Sequence, residues 1–112
     1  MGIEVQHWSE ARLMGWTDAE SWLETRVEGT TYFDFPLQRA IVAEEPLELI
    51  KDIDPYGETV FNKLQMPTVI AEFERLSKFV ERPAEQLSID AILRVARAIQ
   101  DKSHNYLIFI GD

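Results

Sequence analysis

Tyr106-Leu107-Ile108-Phe109-Ile110 is an unbroken run of apolar residues near the end of the 112-residue chain. Its β-branched and aromatic side chains favour a strand. Because successive side chains of a strand point to opposite faces, a run without polar alternation indicates a strand covered on both faces. We therefore expect this segment to lie inside a sheet or to pair across an oligomer interface. A homodimer is expected, because an apolar edge strand left unpaired would be prone to aggregate.

Two amphipathic helices are predicted before this strand. The first begins at Pro67, whose fixed φ suits the first helical position, and extends for roughly 14 residues until Pro83 ends or interrupts it. The second is predicted to begin at Ser88, whose hydroxyl is a good N-cap, and to continue through Ile99. The apolar stripes of both helices and the strand should share one core, formed by Phe73, Leu76, Ile92, Leu93, Ala96 and Phe109.

A turn is predicted at Asp54-Pro55-Tyr56-Gly57, where Asp, Pro and Gly occupy the positions that a type I β-turn favours. Two antiparallel strands, Leu47 to Ile53 and Thr59 to Leu64, would then flank it. Nearer the N-terminus, Ile3 to Trp8 and Thr31 to Phe35 are further strand candidates.

The region between these last two candidates contains a helix start signal. Thr17 and Glu20 match a capping box for a short helix that would end at about Arg26. With the C-terminal elements, this predicts one α+β domain over residues 1–112, a small and mostly antiparallel sheet packed against two C-terminal amphipathic helices.

Charge and composition limit the classes of function. The net charge is −9, and residues 1–56 alone carry a net charge of −8. Such a surface repels phosphate backbones, so no nucleic-acid partner is expected. The chain has no cysteine, which fits a reducing cytoplasm, and it has neither a signal peptide pattern nor an apolar stretch long enough to span a bilayer. We expect a cytoplasmic protein without a membrane partner.

Motifs for metals, cofactors and catalysis are absent from the sequence. Asp54 and Gly57 suggest a calcium loop, but Lys63 occupies the position where such a loop needs a glutamate. No metal and no cofactor are expected. His7 is interpreted as a strand residue and His104 as a residue at a helix end, and acid–base catalysis by either remains the alternative. Acidic residues alternate with Arg75, Lys78 and Arg82, which predicts a salt-bridged solvent face.

Half of the aromatic residues fall within the first 35 positions, among many carboxylates. One interpretation is that these rings fill the core, since aromatic side chains bury much area. The other is that rings and carboxylates together bind a cationic small molecule or a basic protein. The candidate ligand-binding residues are Trp8, Trp16, Trp22, Tyr32, Tyr56 and Asn62.

The segment Ile53-Asp54-Pro55-Tyr56-Gly57-Glu58-Thr59-Val60-Phe61-Asn62-Lys63-Leu64-Gln65-Met66, with the ending Phe109-Ile110-Gly111-Asp112, resembles segments of small uncharacterised bacterial proteins. Those proteins are associated with mobile DNA such as integron gene cassettes. The group has no established activity, so the resemblance assigns no catalytic role. Physically, the side chains of Asn62 and Gln65 are expected to hydrogen-bond backbone and to fix the passage from strand to helix. The alternative is that they line a ligand site with Tyr56.

The sequence therefore leads to two hypotheses of different classes. The first is a non-enzymatic binding or interaction protein, for example an inhibitory or immunity-like one, that uses its acidic aromatic N-terminal half. The alternative is a small enzyme that uses carboxylates and His7 or His104. A pocket with converging carboxylates or a His–carboxylate pair would favour the enzyme, whereas exposed aromatic rings would favour binding.

Overall fold

A computed structural model describes residues 3–9, 26–102 and 104–111 of the protein. In this part of the chain three strands form one antiparallel sheet in the order β1-β3-β2, and they comprise β1 (Glu4–Ser9), β2 (Glu58–Phe61) and β3 (Asn105–Ile110). The strands predicted at the two ends of the chain are thus confirmed. β3 is paired on both sides, so the edge-strand reason for expecting a homodimer does not apply to it. The homodimer itself stays a prediction.

Three α-helices of the described chain accompany this sheet, namely α1 (Asp34–Val42), α2 (Met66–Arg75) and α3 (Pro83–Ile99). A 3-10 helix, Leu76–Phe79, continues α2 almost to the start of α3. The α+β fold with amphipathic C-terminal helices is therefore as predicted, with α1 as an additional helix. Within the described ranges, no helix is both long enough and apolar enough to cross a membrane.

The core lies between these helices and one face of the sheet. By register, Val5 lies opposite Phe109 and Phe61 lies opposite Leu107, and all four side chains are buried on that face. The six residues predicted to share a core all belong to this cluster. The Phe109 ring is central, because its centroid lies 5.5 to 5.9 Å from the rings of three other phenylalanines, Phe33, Phe61 and Phe73.

The predicted start of α3 is wrong. The helix begins at Pro83 and not at Ser88. Proline suits the first helical position, because the N–H of that residue has no partner inside the helix and its absence costs nothing. Ser88 lies inside the helix and is buried, and its hydroxyl donates to the carbonyl of Ala84 at 3.0 Å. The residue read as a break is therefore the first residue of the longest helix in the described chain.

The strand predicted over residues 31–35 is also wrong, because α1 begins at Asp34. Pro36 is the third residue of that helix, where its ring fits because the first-turn amides have no partner inside the helix. Thr30 and Phe33 close the preceding turn through a hydrogen bond from the Phe33 amide to the Thr30 carbonyl at 3.4 Å. The buried ring of Phe33 fills the core, as one of the two interpretations of these aromatic residues held.

The strand predicted from Leu47 to Ile53 does not form, so the predicted hairpin is wrong. This segment contains a 3-10 helix, Ile50–Asp52. The backbone amides of Glu48, Leu49 and Ile50 all donate to the carboxylate of Glu72 on α2, with distances of 3.0 Å for the last two. A side chain from another helix thus takes the hydrogen bonds that a partner strand would have supplied.

The turn at 54–57 is confirmed. The Asp54 carboxylate accepts from the Tyr56 amide at 2.8 Å, and the Gly57 amide points to the Asp54 carbonyl at 3.5 Å. The turn leads into β2 and packs against the end of β3, where the Gly111 amide donates to the Gly57 carbonyl at 2.8 Å. A side chain at Gly111 would place its Cβ 2.2 Å from the Pro55 carbonyl oxygen, so the turn and the chain end require glycine there.

The structural role predicted for Asn62 and Gln65 is confirmed. The Gln65 amide donates to the Asn62 side chain at 3.1 Å, and the Asn62 amide donates to the Gln65 side chain at 2.9 Å. This reciprocal capping box starts the 3-10 turn Lys63–Gln65 that leads into α2. The predicted short helix from Thr17 lies almost wholly outside the described residues.

Candidate functional site

A pocket of about 450 Å³ lies where the start of α1 meets the start of α3, and we refer to it as the α1–α3 pocket. The residues that line it are Tyr32, Phe35, Arg39, Arg82, Ala84 and Glu85. Its volume falls in the range of about 300 to 1,000 Å³ that is typical of small-molecule sites. The pocket therefore has the size of a ligand site, and its chemistry depends on which of these groups are free.

Local helix geometry places the lining residues. Phe35 and Arg39 are four residues apart on α1, so they share one face of that helix. Arg82 directly precedes α3, while Ala84 and Glu85 lie in its first turn. The Tyr32 amide donates to the Ser88 hydroxyl at 3.1 Å, and this bond holds the chain just before α1 against α3.

The floor of the pocket is an ion pair. The Arg39 guanidinium donates to both oxygens of Glu85, at 2.6 and 3.0 Å, and also to the Phe79 carbonyl at 2.8 Å. The amide of Glu81 donates to the Glu85 carboxylate at 2.9 Å. Glu85 is only 2% exposed, so this carboxylate joins α1, the segment before α3 and α3 itself almost out of contact with solvent.

The charge state of this pair follows from its contacts. Hydrogen bonds from Arg39, and then from the Glu81 amide, lower the pKa of Glu85 to about 2. The hydrogen bond to Glu85 raises the pKa of Arg39. Both groups are therefore charged at neutral pH and satisfy each other.

Other groups of the pocket remain available to a ligand. Tyr32 is 48% exposed and Phe35 is 54% exposed, and their ring centroids lie 6.4 Å apart with planes inclined by 22°. Arg82 is exposed and forms no ion pair with the residues that the structure describes. The free surface of the pocket is thus two aromatic rings and one guanidinium.

Of the predicted ligand-binding residues that the structure describes, only Tyr32 lines this pocket. Tyr56 lies in the 54–57 turn with 73% of its surface exposed, and Asn62 caps the turn before α2. Trp8 lies on the sheet face opposite the core, and its indole N–H donates to the Gln6 side chain. Trp16 and Trp22 lie outside the described residues.

Of the six residues that line the α1–α3 pocket, sequence reasoning predicted only Tyr32 as a ligand-binding residue. Phe35 was counted among the aromatic residues but read as part of a strand, and Arg39 and Glu85 carried no recognisable motif. Arg82 was placed on a salt-bridged face with Arg75 and Lys78. Lys78 does pair with Glu45 at 2.8 Å and Arg75 with Glu72 at 3.5 Å. The proline after Arg82 was the signal that could have placed it at a helix start.

The two histidines lie apart from this pocket. His7 Nε2 is 2.7 Å from the side-chain oxygen of Asn105 on the neighbouring strand. His104 was predicted near a helix end, but α3 ends at Ile99 and His104 occupies a left-handed turn, φ 62°, before β3. Within the described residues no group of three or more potential ligands is placed to hold a metal ion.

The pKa of Glu85 predicts a pH dependence of stability. Because its folded-state pKa is lowered, the Arg39–Glu85 pair stabilises the fold fully above pH 4.5, and this contribution is lost as the pH falls towards about 2. In urea titrations, the destabilisation caused by Glu85→Gln should be largest at pH 6 and should shrink between pH 4.5 and about 2.5. In an Arg39→Gln background this pH dependence should largely disappear. An equal effect of Glu85→Gln at both pH values would contradict the assignment.

Comparison of the sequence and the structure with known proteins identified no relative. No protein-family model matches the chain, and no significant match was found among curated proteins or solved structures.

Proposed function

We propose that the protein is a small non-enzymatic binding protein and that its ligand occupies the α1–α3 pocket. The observation that carries this proposal is the pair of half-exposed rings, Tyr32 and Phe35, on the wall of a concave site. Aromatic side chains exposed in a concavity are enriched in binding sites, because a ligand that covers them removes much apolar surface from water.

The walls of the pocket are held in place before any ligand arrives. The Arg39–Glu85 pair ties α1 to α3, and the hydrogen bond from the Tyr32 amide to Ser88 holds the chain before α1 against α3. Little side-chain and backbone ordering is then required on binding, so more of the contact energy appears as affinity.

The same contacts favour binding over acid–base catalysis. The pKa of Glu85 is lowered to about 2, far from the value near neutral pH that suits a general acid or base. Its oxygens are also occupied by Arg39 and by the Glu81 amide. The small enzyme that uses carboxylates or His7 and His104 remains the alternative function.

A second candidate is binding of a cationic ligand or a basic protein to the acidic half of the chain. It rests on the net charge of −8 over residues 1–56, which attracts positive partners over a distance. Trp16 and Trp22, the aromatic residues that would supply contacts, belong to this half. Binding there should weaken when Trp22 is replaced by alanine, whereas binding in the α1–α3 pocket should weaken when Phe35 is replaced.

The test is a titration with small phenyl compounds followed by amide chemical shifts. Shifts should concentrate at residues 32, 35 and 82–85, with a Kd on the order of 1 mM, as expected for a fragment of about ten heavy atoms. Phe35→Ala should weaken binding severalfold. Val42→Ala is the matched control, since Val42 is an apolar residue of the same helix that is 83% exposed and does not line the pocket.

Either of two results would contradict the proposal. One is a set of shifts spread over the surface without a centre at the pocket. The other is equal loss of binding in the Phe35 and Val42 variants, which would indicate non-specific contact with apolar surface.

A further inference from the structure

We propose that the ligand of the α1–α3 pocket is a small aromatic carboxylate, with its ring against Tyr32 and Phe35 and its carboxylate on the guanidinium of Arg82. This inference rests on the proposed binding function and adds the chemical class of the ligand. The total charge of the chain would instead suggest a cationic ligand. The sign of the ligand's charge is therefore argued from the charged groups at the pocket.

Among the residues that line the pocket, the charges cancel except for that of Arg82. Arg39 and Glu85 neutralise each other through two hydrogen bonds. The exposed carboxylate of Glu81 lies 3.4 Å from the Nε of Arg39, but Glu81 does not line the pocket. Arg82 lines the pocket without an ion pair to any described residue. The lining therefore carries one net positive charge, which is balanced by Glu81 outside the pocket, and the charged group that a ligand in the pocket meets without an ion-pair partner is the Arg82 guanidinium.

The backbone contributes in the same direction. Ala84, which lines the pocket, is the second residue of the 17-residue helix α3, so the pocket opens at the positive end of that helix dipole. A negative group at this end is favoured, and the effect is confined to the first turn. A cation placed on the two rings would instead lie beside Arg82 and the same helix end.

The net charge of −9 does not outweigh these local groups. At physiological ionic strength charges are screened over about 8 Å, so carboxylates elsewhere on the surface act weakly on a bound ligand. A group in hydrogen-bond contact with Arg82 is screened much less. The acidic surface slows the approach of an anion, whereas Arg82 decides how tightly it is held.

The shape of the available groups specifies a carboxylate. A guanidinium offers paired N–H groups in a planar fork that matches the two oxygens of one carboxylate. One free arginine suits a single negative charge, and the two rings present flat apolar faces for an aromatic ring. A pocket of about 450 Å³ has room for a small molecule of this type.

Three compounds with one phenyl ring and one short arm separate the effect of charge from that of the ring. They are phenylacetate, the neutral phenylacetamide and the cation 2-phenylethylammonium, titrated at pH 7 against the full chain with amide shifts at residues 32, 35 and 82–85 as the readout. Phenylacetate should bind most tightly and the cation most weakly. Arg82→Gln should weaken the binding of phenylacetate about tenfold, the effect expected for loss of one hydrogen bond to a charged group, and it should leave the affinity for phenylacetamide unchanged.

Two further variants control for general changes in charge. Arg94→Gln removes an exposed arginine of α3 that does not line the pocket, and it should leave the affinity for phenylacetate within about twofold, as expected for a distant screened charge. Arg82→Lys keeps the charge but loses the fork, so it should restore only part of the affinity.

The outcomes distinguish this inference from the proposed function. If phenylacetamide or the cation binds at the pocket as tightly as phenylacetate, the carboxylate is wrong and the pocket stands. If none of the three compounds shifts these residues, both proposals fail. A short peptide ending in phenylalanine presents the same ring and carboxylate on a chain. If it binds more tightly than phenylacetate, the ligand is a protein terminus and not a small molecule, and that part of the inference is overturned.

Discussion

Replacing Phe109 by alanine should lower the free energy of unfolding by about 3 to 5 kcal/mol, the range for phenylalanine removed from a packed core. The Phe109 ring is fully buried in the central strand β3. It contacts rings from β2, from α2 and from the turn before α1, Phe61, Phe73 and Phe33. A cavity at this point would loosen all three elements together, because none of them can move in without losing another contact.

Urea denaturation followed by circular dichroism measures this effect, and Phe35→Ala is the matched control. Both variants remove the same atoms, but Phe35 is 54% exposed and its replacement should cost about 1 kcal/mol or less. Domains have total stabilities of about 5 to 15 kcal/mol, so a loss of this size removes between about one fifth and all of the stability. Similar losses for the two variants would show that Phe109 is not the centre of the core.

Local sequence patterns predicted the elements whose hydrogen bonds are made nearby. The apolar run at 106–110 became the inner strand, and the Asn62–Gln65 pair became a capping box because its partners are three residues apart. The apolar stripe of α2 predicted a buried face, with Val69 and Phe73 in the core. In each case the residues that decide the structure are neighbours in the sequence.

The misread elements depend on partners that are far away in sequence. Residues 47–53 have the composition of a strand, but Glu72 supplies their acceptors from α2. Ser88 has the chemistry of an N-cap, but its hydroxyl is used inside α3 and accepts from Tyr32, 56 residues earlier in the chain. A local sequence pattern identifies a polar group but not a hydrogen-bond partner that is far away in the sequence, so these segments could not be assigned from the sequence.

The candidate site was predicted only in part for the same reason. Tyr32 was predicted from its residue type. Arg82 lines the pocket because the helix that begins at Pro83 lies beside α1, and this packing could not be predicted from the sequence around Arg82. The excess of negative charge in residues 1–56 suggested a cation. In the α1–α3 pocket the distribution of charge over a few ångströms opposes that suggestion, since Arg39 neutralises Glu85 and leaves Arg82 free. Composition describes the surface as a whole and cannot locate such an exception.

The second large effect is expected for Glu72→Ala, which should cost about 3 kcal/mol or more. Glu72 is 1% exposed, and its carboxylate accepts from the amides of Glu48, Leu49 and Ile50. Without it these amides lose their acceptor, and each buried donor left unsatisfied costs roughly 1 to 3 kcal/mol. Water can reach the amide of the exposed residue Glu48 but not that of the fully buried Ile50, so the sum is less than three full penalties.

The matched control for this effect is Glu74→Ala, the same change two residues along α2. The Glu74 side chain is 53% exposed, and its carboxylate lies 3.5 Å from the guanidinium of Arg97. An exposed ion pair of this kind contributes about 0 to 1 kcal/mol to stability. Amide hydrogen exchange adds a local readout. Lower global stability should speed exchange in β3, and Glu72→Ala should speed exchange at residues 48–50 by more than that. Exchange that rises equally at both places, or equal stability losses for the two variants, would mean that Glu72 acts only through helix packing. The loop before the 54–57 turn would then be held by its apolar contacts, Ile50 and Ile53 in the core, and not by a carboxylate that replaces a missing strand.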